Sequence, residues 1–173
     1  MYIKVFPHGK GGGSGPVDYL LRMDYPGRSD SPPTLLRGDA DLTRNIIDAQ
    51  NRKWKFTAGV CSWGPEDVVT PQQERQLMDD FERLAFAALE PDQYNILWVR
   101  HSHAGHHELH FVIPRVELST GKSFNAVPPG WQKDFDQLRD LYNWHENWTR
   151  PNDPARARFC TPDHADLHKA RLF

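Results

Sequence analysis

Residues that can bind a metal or carry a proton are concentrated between positions 99 and 113, which hold five of the nine histidines and one glutamate. From Glu108 to Ile113 polar and apolar residues alternate, with the period of a half-buried strand. Glu108 and His110 therefore share one face, roughly 7 Å apart along the strand. Imidazole and carboxylate groups together bind divalent cations, so this stretch predicts a metal site.

The preceding segment supplies a third ligand. Residues 94–100 are aromatic and branched, which is typical of a strand, and residues 102–107 include a glycine that allows a hairpin. His101 would then end the first strand beside Glu108 and His110, which gives a three-ligand site with open positions. The alternative is a solvated, histidine-rich turn. The placement of Glu108 and His110 within an otherwise apolar strand argues against it.

Composition indicates a soluble globular protein. The 173 residues, 38% hydrophobic and 25% charged, predict one domain over 1–173, or the N-terminal part of a longer protein. Only Cys61 and Cys160 are present, and no apolar run approaches the length of a membrane span, so we expect a cytoplasmic protein without a membrane partner. The net charge of −2 excludes recognition of nucleic acid through overall charge, so such binding must be local.

Helical and strand periodicities alternate along the chain. Apolar spacing predicts helices over 17–23, 41–50, 71–89 and 131–148, and strands over 2–6, 56–63, 94–100, 108–113 and 123–126, with a loop over 29–37. The third helix is the best marked, because Thr70 and Gln73 form a capping box around Pro71. The fold class expected is α+β: a two-layer sandwich with a mainly antiparallel central sheet and helices on one face.

A tyrosine near the N-terminus follows a glycine-rich segment. Tyr19 lies one turn inside the first helix, after the glycine-rich segment 9–15, whose glycines permit close backbone approach. That segment lacks the lysine-plus-hydroxyl ending of a phosphate-binding P-loop, so a nucleotide site is not favoured. Tyrosines are more often packing residues, so this position alone assigns no role to Tyr19.

Three blocks in this order resemble the relaxase (mobilisation nuclease) domain of plasmid conjugation systems, within the HUH endonuclease superfamily. They are residues 15–21 around Tyr19, residues 59–66 with the following Thr-Pro, and residues 101–116 with the Thr-Gly-Lys at 120–122. Most of that family carries histidine at the position of Glu108, and a subgroup carries glutamate there. The family also often has aspartate in place of His103 and asparagine in place of Pro114.

The resemblance implies DNA cleavage by transesterification. The hydroxyl of Tyr19, which matches the family motif, would attack a phosphodiester and leave a 5′-phosphotyrosyl intermediate and a free 3′-hydroxyl. Tyr25 is the second candidate for this role. A free tyrosine hydroxyl has a pKa of about 10, so it needs help, and His103 or His107 is expected to accept the proton. The carboxylate of Glu108 favours Mn²⁺ or Mg²⁺ over zinc as the cofactor, with His101 and His110 as the other ligands.

The expected partner is single-stranded DNA at a transfer origin. Ser62, Lys10 and Arg22 are the candidate DNA contacts, with weaker candidates at Arg28, Lys53 and Lys55 and possible base stacking on Trp63 and Trp131. The resemblance also implies relaxosome accessory proteins and the coupling protein of a type IV secretion system.

Other functions share some of these features. A replication-initiator or transposase nuclease of the same superfamily would use the same chemistry, and a hydrolytic metal-dependent nuclease would use water instead of tyrosine. A non-enzymatic metal-binding module and a two-histidine-one-carboxylate iron oxygenase are further alternatives. The oxygenase is disfavoured, because its ligands are usually spread along a barrel. A covalent protein–DNA band with Mn²⁺ would exclude the module and the oxygenase.

Overall fold

The computed structural model describes residues 1–102, 105–151 and 153. Nine elements follow one another along the chain: β1 (Tyr2–Val5), α1 (Ser14–Leu21), β2 (Thr34–Arg37), α2 (Ala40–Asp48), β3 (Phe56–Ser62), α3 (Pro71–Ala85), β4 (Leu97–His101), β5 (Glu108–Pro114) and α4 (Gln132–His145).

The five strands form one antiparallel sheet in the order β1-β3-β5-β4-β2. The predicted hairpin is confirmed, since β4 pairs with β5 and His101 lies directly opposite Glu108. On the other side of β5, Ser62 at the end of β3 also lies opposite Glu108. The central strand β5 is thus flanked at its first residue by the ends of both neighbours.

One face of the sheet is covered by α3 and α4. Phe81 of α3 is fully buried, with its ring centroid 4.7 Å from that of Phe111 and 5.1 Å from that of Trp98. Phe135 of α4 closes the same cluster at 4.9 Å from Phe81. The capping box at Thr70 that starts α3 is present as predicted. This face, which we call the packing face, is the main hydrophobic core of the described residues.

The opposite face carries α1 and α2. Val17 and Leu20 of α1 and Ile47 of α2 are buried against the sheet residues Leu97, Val99 and Val112. The α+β class and the antiparallel sheet are confirmed, but helices lie on both faces rather than on one. The reason is that β4 and β5 are apolar on this side beyond the histidines, and only these helices can keep that surface from water. We call this side the site face.

Two short segments differ from the prediction. Residues 34–37, predicted as loop, form the edge strand β2, which pairs with β4. Their sequence signal is weak because the strand is short and has only one paired neighbour. Residues 123–126, predicted as a strand, make only the bridge Val116–Ser123. Among the described residues, no helix has the length and apolarity needed to cross a membrane.

Candidate metal and nucleophile site

His101, Glu108 and His110 meet at one end of the site face. One possible ligand atom from each lies within 4.8 Å of the others, and the two imidazole centroids are 4.4 Å apart. The register explains the cluster, since His101 is opposite Glu108 and His110 follows two residues later on the same side. His101 and His110 are buried, whereas Glu108 is half-buried.

His101 is held by contacts that fix its tautomer. Its Nε2 lies 2.8 Å from the backbone oxygen of Leu20 in α1, and a carbonyl oxygen can only accept, so Nε2 carries the proton. Its Nδ1 therefore accepts a hydrogen bond from a guanidinium nitrogen of Arg28 at 3.3 Å. A backbone carbonyl on the far nitrogen is the usual arrangement for a metal-binding histidine, and an ion bound at Nδ1 would have to displace the Arg28 contact.

Glu108 and His110 bond to each other, with His110 Nε2 3.0 Å from Glu108 Oε2. Two imidazoles and one carboxylate fit a divalent cation of intermediate hardness such as Mn²⁺, and the carboxylate also suits Mg²⁺. The donor set is therefore compatible with the metals expected from the sequence.

Tyr19 opens onto the same region. Its side chain is 47% exposed, and it lines a small cavity of about 150 Å³ together with His110, Phe6 and Pro16. The next residue in α1 is Leu20, whose carbonyl holds His101. The helix that carries the candidate nucleophile is thus tied directly to a candidate ligand. Tyr25 is also exposed, with its ring edge-on to that of Tyr19 at 6.2 Å.

Arg28 connects the tyrosines with the histidine cluster. It is 1% exposed, and its guanidinium donates to the backbone oxygens of Tyr19 at 2.6 Å and of Arg22 at 3.2 Å. The same group lies 5.2 Å from the ring of Tyr19 and 4.8 Å from that of Tyr25. Arg28 lies in a segment that the sequence predicts as a loop, and the sequence favours it only weakly as a DNA contact. No local pattern indicates that it is buried.

His107 does not join the cluster. Its Nε2 lies 2.8 Å from a carboxylate oxygen of Glu74 in α3, on the packing side. Arg100 reaches the other oxygen of that carboxylate at 3.2 Å. Burial raises the pKa of Glu74, but the His107 and Arg100 contacts outweigh it and hold that pKa below its usual value. His107 is therefore not placed to accept a proton from Tyr19.

The predicted DNA contacts are dispersed. Ser62 lies beside Glu108. Arg22, at the end of α1, is exposed and paired with Asp24 at 2.7 Å. Lys10 stands over the ring of Trp54 at 4.6 Å, beyond the other end of β3, roughly 20 Å from Ser62 by strand length.

The remaining predicted residues lie elsewhere. Trp63 is buried against Trp148, so its ring is not free for a base. Trp131 is half-buried, with its ring edge-on to that of Phe135. His103 lies outside the described residues.

The chain is similar to proteins of plasmid mobilisation. A family model described as "Relaxase: MobA/VirD2-like, nuclease domain" matches residues 36–145, a range that includes the three candidate ligands but not Tyr19.

Three relatives support the match. Cryptic plasmid protein C of Neisseria gonorrhoeae is 41% identical over 162 residues, which cover 93% of this chain and 77% of the relative. DNA relaxase MbeA of Escherichia coli is 39% identical over 174 residues, which cover 99% of this chain and 33% of the relative. Protein rlx of Staphylococcus aureus is 24% identical over 156 residues, 86% of this chain and 45% of the relative. The chain thus spans most of the gonococcal protein but a third of MbeA.

Proposed function

Because the chain belongs to the MobA/VirD2-like relaxase family and carries its nuclease domain, we propose that it nicks one DNA strand at a plasmid transfer origin by tyrosine transesterification. The observation that carries the proposal is the placement of Tyr19. It shares a cavity with His110, and the residue after it holds His101.

The phenolic oxygen of Tyr19 attacks the phosphorus, and the 3′-oxygen leaves and takes up a proton. The product is a 5′-phosphotyrosyl bond and a free 3′-hydroxyl, so the bond energy is kept and the strand can be rejoined. A Mn²⁺ or Mg²⁺ ion held by His101, Glu108 and His110 would supply polarisation of the scissile phosphate. His103 remains the candidate for accepting the tyrosine proton, on the ground of its sequence position.

Arg28 orients the nucleophile and places positive charge beside it. Its bonds to the Tyr19 and Arg22 carbonyls fix the end of α1. Its guanidinium lies within cation–π distance of both tyrosine rings. A buried positive charge there stabilises the negative charge that develops on the phenolic oxygen and the phosphate during attack.

Single-stranded DNA reaches the site along the exposed side of α1 and past Ser62. Ser62 and Arg22 contact the DNA near the cleaved bond, and Lys10 contacts it farther away. In the cell, relaxosome accessory proteins present the transfer origin, and a coupling protein of a type IV secretion system receives the covalent product.

The test is adduct formation by matched tyrosine variants. The purified protein is incubated with Mn²⁺ and labelled single strands from a plasmid's mobilisation region, and the products are separated by denaturing electrophoresis. Tyr19→Phe removes one exposed oxygen and should abolish cleavage and the covalent band, with stability changed by at most about 1.5 kcal/mol. Tyr25→Phe is the control and should retain both.

Two other outcomes would change the assignment of the nucleophile. An adduct that persists in Tyr19→Phe and disappears in Tyr25→Phe would move the nucleophile to Tyr25. Cleavage without a covalent band in either variant would make water the nucleophile and the protein a hydrolytic nuclease. Loss of cleavage on addition of EDTA, with recovery on addition of Mn²⁺, tests the metal requirement in the same assay.

A further inference from the structure

The edge strand β1 exposes aromatic side chains where a solvent-facing strand usually carries polar ones. Its residues alternate sharply, since Met1 and Ile3 are buried while Tyr2 is 45% and the following Phe6 is 37% exposed. Lys4, between the two aromatics, is exposed. An outward face of aromatic, lysine and aromatic residues is unusual for an edge strand of an antiparallel sheet and indicates a binding surface.

These side chains lie on the site face. Tyr2 is opposite Ser62, Ser62 is opposite Glu108, and Glu108 is opposite His101, so one row of residues crosses four strands. Residues directly opposite in antiparallel strands point to the same side. At about 4.8 Å between strands, the backbone of Tyr2 is roughly 10 Å from that of Glu108.

The pattern continues at Lys4 and at Phe6, the residue after β1. Lys4 is opposite Val60, which is opposite His110. The amide of Phe6 donates to Ala58 at 2.9 Å. Phe6 also lines the cavity of about 150 Å³ that contains Tyr19 and His110. The aromatic surface is therefore continuous with the candidate site.

The positive charge of Lys4 indicates which class of ligand this surface can bind. The ammonium of Lys4 lies 5.6 Å from the ring centroid of Phe6. Within the described part of the chain no carboxylate forms an ion pair with Lys4. A cation available between two exposed rings suits a ligand that alternates flat aromatic groups with negative charges, as a single nucleic-acid strand does.

A second aromatic–cation group is less suited to this role. Trp54 is 38% exposed, but Lys10 and Lys53 already stand over its ring. It lies beyond the far end of β3 from the ligand cluster.

We propose that Tyr2, Lys4 and Phe6 form a stacking platform that holds the single-stranded DNA beside the cleavage site. Bases stack on the rings of Tyr2 and Phe6, and Lys4 contacts the intervening phosphate. The identity of the ligand as DNA rests on the proposed relaxase function, whereas the platform itself rests on exposure, register and charge.

The first test measures binding of fluorescein-labelled oligothymidylate to the full chain with Mn²⁺ by fluorescence anisotropy. Tyr2→Ala and Phe6→Ala should each weaken binding roughly 5- to 150-fold, the range for loss of one stacked base. Tyr2→Leu and Phe6→Leu keep an apolar side chain but lack the ring, and should show most of the same loss. Trp144→Ala, a change at a 70% exposed tryptophan on α4, is the control and should bind as the unmodified protein does.

Lys4→Met tests the phosphate contact separately. The slope of the logarithm of affinity against the logarithm of salt concentration should fall by about 0.7, the value for one phosphate contact with a single strand. Binding of Mn²⁺, measured by calorimetry without DNA, should be unchanged in every platform variant, which shows that the site face is intact.

The second test locates the contact. Oligonucleotides containing 5-iodouracil are crosslinked by light, and the protein is digested with trypsin. Crosslinks should fall in the peptides 1–4 and 5–10, at Tyr2 and Phe6. Crosslinks at Trp54 alone, or unchanged affinity in both leucine variants, would overturn the platform.

The two proposals fail separately. An adduct at Tyr19 together with unaffected binding in the platform variants removes the platform and leaves the relaxase. Ring-dependent DNA binding without any adduct leaves the platform and removes the transesterification mechanism. No DNA binding by the folded, metal-bound protein removes both.

Discussion

The two faces of the sheet are formed by the same strands but differ in their side chains. One face is an apolar core, and the other carries the candidate metal ligands. On the packing face, Phe111 and Trp98 are fully buried against α3 and α4, and the indole nitrogen of Trp98 donates to Glu82 at 2.8 Å. On the site face, one residue away along β5, His110 lies beside Glu108 under a helix that leaves part of the sheet uncovered.

The difference shows how the protein accommodates a polar cluster near its core. The packing face supplies most of the apolar burial that holds the sheet together. The site face can therefore carry buried imidazoles and a carboxylate, groups that cost free energy to bury unless they are paired. A one-residue shift of register would exchange these two sets of side chains. The alternation of apolar residues therefore also keeps the candidate ligands on the site face.

The largest effects are expected from changes at two adjacent residues of β5. One change should mainly lower stability, and the other should mainly weaken metal binding. Phe111→Ala removes a fully buried ring and should lower the free energy of unfolding by about 3–5 kcal/mol. His110→Ala should change it by only about 1 kcal/mol but greatly weaken Mn²⁺ binding. Urea denaturation and calorimetry measure the two quantities. Equal losses of stability would mean that the two faces contribute equally to the free energy of unfolding, which would contradict this description.

Glu74 tests the link between the faces, with an intermediate effect. From the packing side its carboxylate contacts Arg100 and His107, the residues that precede His101 and Glu108. Glu74→Gln should lower the free energy of unfolding by about 1–3 kcal/mol, because it leaves buried donors poorly paired. Binding of Mn²⁺ should weaken several-fold as the hairpin loosens.

The pH dependence of that variant has a defined sign. The pKa of Glu74 is held below its ordinary value of 4.5 in the folded protein, so its carboxylate contributes stability that is present above that value and lost as the pH falls through the folded pKa. The stability difference between the unmodified protein and Glu74→Gln should be constant near neutral pH and narrow in acid, as followed by urea denaturation at each pH. A difference that widens in acid would contradict the assignment.

The smallest effect contrasts two neighbours in β3. Cys61 faces the packing side, is fully buried, and has a pKa raised to about 12 by that burial. In a Cys160→Ser background its thiol should not react with iodoacetamide until the protein unfolds. Ser62→Cys places a thiol on the site face and should react in the native state. Mass spectrometry distinguishes the two, and native labelling of Cys61 would show that the packing face opens.

Local sequence patterns predicted much of the fold. The alternation in residues 108–113 identified β5 and the side of the sheet on which Glu108 and His110 lie. The capping box at Thr70 located the start of α3. The hairpin between β4 and β5 followed from two adjacent strand patterns, which is why the three candidate ligands could be named before their distances were known.

Other features had weak local signals. The edge strand β2 is four residues long and pairs on one side only. The helices α1 and α2 showed apolar spacing, but spacing does not say which face of the sheet a helix will cover. Their position over Val99 and Val112 depends on how far the intervening loops carry them.

The amino-acid sequence by itself determined the residue types at the site and the strands that carry them, because side-chain alternation and hairpin pairing act between near neighbours. Tertiary structure decided the rest. Only folding brings Arg28 and the Leu20 carbonyl against His101, across 73 and 81 residues of chain. Only strand order aligns Tyr2 with Glu108. Such contacts depend on the packing of whole elements, and no local pattern of residues encodes the approach of two segments that are far apart in the chain.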